Sequence, residues 1–117
     1  MGVEFRNMEW NEETLQRRRE AMEKSREVGP FGLTAEDHRA MGSTPDERLV
    51  EHEGKAPYEF FTDEEILNVL ELMEKATMDP TMPPQVAQSQ SEDLKQAIMF
   101  LKGVGRLPES FRHYLSL

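Results

Sequence analysis

The stretch Phe61-Thr62-Asp63-Glu64-Glu65-Ile66-Leu67-Asn68-Val69-Leu70-Glu71-Leu72-Met73-Glu74-Lys75-Ala76 decides how the chain is read. Thr62 is an N-cap residue type. Its hydroxyl can accept from the N–H of Glu65, and the Glu65 carboxylate can accept from the N–H of Thr62. Phe61 before the cap and Ile66 after the first turn have the spacing of a hydrophobic staple. Three acids crowd the first turn and Lys75 lies near the end, as the helix dipole favours. These local rules agree on a helix over 63–77.

The faces of that helix say more than its cap. Ile66, Val69, Leu70, Met73 and Ala76 form one stripe at 100° per residue, and Leu67 and Leu72 widen it to more than half the cylinder. A surface helix needs a stripe of only about 100°. This one asks to be covered from two directions. A second helix over 91–103, capped by Ser89 or Ser91, carries Leu94, Ala97, Ile98 and Leu101 on one stripe and is the natural first cover. Pro108 then starts a short terminal helix on which Phe111, Tyr114 and Leu115 share a face.

The first half reads differently. Asn11 caps a helix over about 12–27, with Glu13–Arg17 and Glu20–Lys24 in the favourable i,i+4 order. Its apolar residues are few. Gly29-Pro30 ends it. Thr34 and Asp37 open a short helix that Gly42 stops. Thr44, Pro45 and Glu47 open another that Gly54 stops. Residues 55–61 read as an extended aromatic connector, and 78–90, with three prolines, as an extended linker. The expected fold is all-α. It is a small antiparallel helical hairpin, about 63–77 and 91–103, with a short C-terminal helix. A segmented, extended N-terminal helical arm over 1–60 precedes a compact unit over 61–117.

Composition narrows the function. The chain has 117 residues, 37% hydrophobic and 32% charged, with a net charge of -9. Such acidity argues against a protein that tracks phosphates directly. Fourteen acids and nine bases precede Thr62, and nine acids and five bases follow, so no acidic tail or basic patch stands out. Arg17-Arg18-Arg19 is flanked by glutamates and reads as a solvated face. There is no cysteine, which excludes disulfides, thiolate zinc sites and cysteine nucleophiles and fits a reducing, intracellular setting or a virion interior. No secretion signal, membrane span or myristoylation motif is visible.

Residues for chemistry do not converge. His38, His52 and His113 share no metal-binding spacing, and no calcium loop is present. Gly103-Val104-Gly105 lacks the strand and third glycine of a dinucleotide fingerprint. No metal, cofactor or catalytic set is expected, and a non-enzyme is the reading. What remains is recognition. The connectors carry aromatic and methionine residues, and Phe5, Trp10, Tyr58, Phe60, Met82, Met99 and Phe100 are the expected partner contacts, because aromatic anchors often carry binding energy. Phe61 is expected to close the hairpin core. The sequence thus describes a small accessory subunit docking onto a larger protein assembly, such as a virion head, neck or tail component or a peripheral complex subunit. A homo-oligomer is compatible with this. The alternative is an acidic regulator that binds a basic surface of an enzyme or nucleic-acid-binding protein.

Overall fold

A computed structural model describes residues 11–116, and these are helical with no strand among them. The elements run α1 (Glu12–Val28), a 3-10 turn (Gly29–Phe31), α2 (Ala35–Ala40), α3 (Glu47–Glu51), α4 (Pro57–Phe60), α5 (Asp63–Thr77), α6 (Pro84–Val104) and a C-terminal 3-10 helix (Glu109–Ser116).

Local chemistry sets most of the starts. Asn11 Oδ1 accepts from the Thr14 N–H at 2.8 Å and caps α1. Thr34 and Asp37 cap α2 reciprocally, at 3.2 and 2.9 Å. Thr62 Oγ1 accepts from Glu65 N–H at 3.2 Å, while Glu65 Oε1 accepts from Thr62 N–H at 3.0 Å. Each box satisfies two donors that a bare helix start would leave unpaired.

Four boundaries differ from the sequence expectation, each for a local reason. The cap of α3 is Asp46, not Thr44: its Oδ1 accepts from the Arg48 N–H at 2.9 Å, so Pro45 lies outside the helix. Residues 57–60 are a helical turn rather than extended chain. Pro57 fixes the first φ, and Glu59 reaches back to accept from the Ala56 N–H at 2.6 Å. The long helix begins at Pro84, not near 91. Proline at the first helical position needs no hydrogen-bond partner for nitrogen, and the Gln and Ala residues that follow are good helix formers. The linker shrinks to a turn over 78–83, pinned by Asp79 Oδ1 accepting from Thr81 N–H at 2.9 Å. The C-terminal segment is 3-10 and leaves Leu115 37% exposed.

One core joins both halves of the chain. Ile66 and Leu70 of α5, Leu94, Ala97, Ile98 and Leu101 of α6, Phe111 of the C-terminal helix and Phe31 of the 3-10 turn form a single buried cluster. Phe31 and Ala35 are fully buried, and Leu33 is nearly so. Part of the cover that α5 and α6 ask for therefore comes from the first half itself. Gly29 makes this possible. It has φ +57°, which favours glycine, and a Cβ built there would stand 3.6 Å from Ala97 Cβ. The chain reverses at the end of α1 while lying directly on α6.

Candidate docking surface

Two arginines organise the joint between the halves. Arg48 of α3 pairs with Glu65 of α5, and its guanidinium lies over the rings of Phe60 (5.4 Å) and Phe61 (4.9 Å). Phe60 stacks on His52 at 4.4 Å and meets Phe61 edge-on at 5.2 Å. Arg106, just beyond α6, donates to the carbonyls of Tyr58 (2.5 Å) and Phe61 (2.7 Å) and to Asp63 Oδ1 (3.0 Å). A planar guanidinium spreads its donors over a rigid fork and so reaches three separated acceptors, whereas a lysine ammonium is a compact point charge. The sequence gives no signal for either arginine, because their partners lie 12 to 48 residues away, beyond the i,i+4 rules that local pattern can express.

This joint decides where the expected contact residues stand. Tyr58 packs half-buried against the core with its ring edge-on to Phe100, centroids 5.3 Å apart. Phe60 is half-buried between His52 and Phe61. Phe61 packs on the core cluster. Met82 is half-buried at the 78–83 turn, its N–H donating to the Asp79 carbonyl at 3.2 Å. Met99 faces outward, 59% exposed. Phe5 and Trp10 lie outside the described residues. The structure thus brings Tyr58, Phe60 and Phe100 to the inner joint and leaves Met99 on the surface, apart from them.

Other apolar side chains turn outward instead. Leu72 of α5 is 67% exposed and Met78, at the C-terminus of that helix, 71%. Leu72 sits at one edge of the wide α5 stripe, which was the available sequence signal. The inner cover reaches Ile66 and Leu70 and stops short of it. Val86, in the first turn of α6, is also exposed.

Charge follows the same division. Five ion pairs tie arginine or lysine to carboxylates within the described residues, among them Lys24–Asp37 at 2.8 Å and Arg106–Asp63 at 3.0 Å. Burial works against ionised Asp37, but the hydrogen bonds from Lys24 and from the Thr34 N–H prevail and hold its carboxyl below the usual carboxylate range. The Tyr114 hydroxyl donates to the Glu74 carboxylate, and that bond, with burial, pushes its pKa up to about 12. Two open grooves stand out among the described residues. One of about 780 Å³ lies between α1 and α2, with acids and bases alternating around Ala21 and Ala40. The other, about 530 Å³, lies beside Arg106, Leu107 and Leu67. Among the described residues no cluster of His, Asp or Glu has metal-holding geometry, and no helix is long and apolar enough to cross a membrane.

No known protein family matches the chain, and no curated protein or solved structure is significantly similar to it.

Proposed function

We propose that the chain is a non-enzymatic accessory subunit that docks onto a larger protein assembly, with α5 and α6 acting as an antiparallel hairpin anchor. The observation that supports this is the outward turn of Leu72, Met78 and Met99, each more than half exposed, on or at the end of the two helices that hold the core. An isolated exposed apolar residue is ordinary. The three most exposed large apolar side chains stand on or at the end of the anchor helices, while the connector aromatics turn inward, and this suits a surface completed by a neighbour. The test is affinity capture of the tagged full chain from its native source, comparing wild type with Leu72→Ser/Met78→Ser. The wild type should bring down a partner in fixed stoichiometry and the variant should not. A wild-type chain that elutes alone as a monomer refutes the reading.

The second reading is an acidic regulator of a basic surface. Its support is the net charge of -9, with five of the basic residues already tied to carboxylates among the described residues. Partner binding that weakens steeply between low and physiological salt favours this second reading.

A further inference from the structure

The C-terminal 3-10 helix is held by its seat more than by itself. Runs of 3-10 longer than three or four residues are uncommon, because their hydrogen bonds are poorly aligned, yet this one spans eight residues, Glu109–Ser116. Phe111 is its one buried side chain. It enters the core cluster beside residues of α5 and α6, and Leu107 and Tyr114 pack against that cluster. The Tyr114 hydroxyl donates to the Glu74 carboxylate, and the Tyr114 ring stacks on Phe111 with centroids 5.7 Å apart. The rest of the segment is exposed. The segment is therefore a strap, with one aromatic plug and one phenol seated on α5 and α6.

Its path needs a reversal. Arg106 bonds Asp63 at the start of α5, and Tyr114 bonds Glu74 near the other end of that helix, so the strap runs back along α5. The reversal falls between Val104, the last residue of α6, and Glu109. Gly105, with φ +75°, supplies part of it. Arg106 is then clamped by three acceptors, which leaves Leu107 and Pro108 as the joint. Proline fixes its own φ and pushes the residue before it toward extended backbone. The joint is thus short, anchored on both sides and biased toward straight chain, and such joints favour exchange of the segment they carry.

We infer that the strap is exchanged between two copies of this chain, Glu109–Ser116 of each seated on the α5–α6 socket of the other. The seat itself names the occupant. It fits Phe111 and Tyr114 in the structure, and a second copy brings the same two side chains to the same Glu74 carboxylate. Exchange keeps every contact that the strap makes, which is why it is a low-cost route to a dimer. It involves other residues than Leu72, Met78 and Met99 and does not need the docking reading.

The chain has no cysteine, so introduced cysteines report without background. Full-length Glu74→Cys and Tyr114→Cys chains, told apart by mass, are unfolded, refolded together and treated with a short bifunctional thiol cross-linker. Wild-type chain is followed in parallel by sedimentation, and circular dichroism checks the fold of each variant. Exchange should link position 74 of one chain to position 114 of the other. A short tether gives the closed strap an effective concentration of about a millimolar, so wild-type dimer should grow in as total chain approaches that level. Inserting four Gly-Ser residues after Pro108 relaxes the joint and should raise the concentration needed several-fold. Phe111→Ala in the Tyr114→Cys chain removes the plug and should abolish the link. A wild-type chain that stays monomeric throughout that range overturns the inference. So does a dimer without the 74–114 link, because another surface would then join the copies, and so does a link that survives Phe111→Ala or ignores the longer joint. Partner capture through Leu72 and Met78 is read separately, so the docking reading stands or falls on its own.

Discussion

Truncating Phe31 to alanine should destabilise the whole chain, including the helices that follow it by more than thirty residues. The ring is fully buried in a cluster otherwise drawn from α5, α6 and the C-terminal helix. Removing a fully buried phenylalanine costs about 3–5 kcal/mol, from lost transfer energy and the cavity left behind. A domain of this size is stable by about 5–15 kcal/mol, so the loss is about a fifth or more. At about 4 °C per kcal/mol, the melting temperature should drop by some 12–20 °C. The assay is urea unfolding followed by circular dichroism, with Leu72→Ala as the reference. Leu72 is 67% exposed, so its truncation should move stability by no more than about 0.5 kcal/mol. The denaturant slope should be unchanged in Phe31→Ala, since the same surface is exposed on unfolding. If Phe31→Ala loses less than about 1 kcal/mol, against the 3–5 expected for a filled core site, Phe31 is not part of a shared core.

Other changes probe the joint and its charges. Arg106→Ala removes donors to Tyr58, Phe61 and Asp63 together. Charge-assisted bonds contribute about 1.5–3 kcal/mol when buried, and at this partly exposed site the loss should sit near the low end by chemical denaturation; Arg106→Lys should restore only part of it. Tyr114, with its folded pKa raised to about 12 from 10.0, contributes stability that is fully present below pH 10 and is lost as pH climbs from there through 12. Tyr114→Phe should flatten that alkaline decline, and an unchanged decline in the variant would show that the Glu74 bond does not cause it. Asp37 has its folded pKa lowered from 3.8, so its contribution is present above pH 3.8 and fades as pH falls through the folded value. Asp37→Asn should remove that part of the acid-side loss in pH-dependent thermal melts.

The sequence by itself determined the local grammar. Thr62–Glu65, Thr34–Asp37 and Asn11 were readable as caps, because a cap is made between residues two or three apart and depends on nothing distant. The buried stripes Ile66/Leu70 and Leu94/Ala97/Ile98/Leu101 were readable for the same reason, since helical periodicity is a local property. The misplaced boundaries at Asp46, Pro57 and Pro84 mark where two local signals competed. Threonine against aspartate, and proline as breaker against proline as first residue, are contests that neighbouring geometry resolves.

Which surface covers which was decided only by the tertiary structure. The composition of residues 1–60 looks like an arm without a core, yet Gly29 turns the chain so that Phe31 enters the cluster beneath α5 and α6. Tyr58, Phe60 and Phe100 have the residue types of binding anchors, and the guanidinium groups of Arg48 and Arg106 gather the connector around them on the inner side. Leu72 belongs to the same apolar stripe as Ile66 and remains in water. Residue type fixes what a side chain can do; the burial that selects among those uses depends on contacts across tens of residues, which no local pattern encodes.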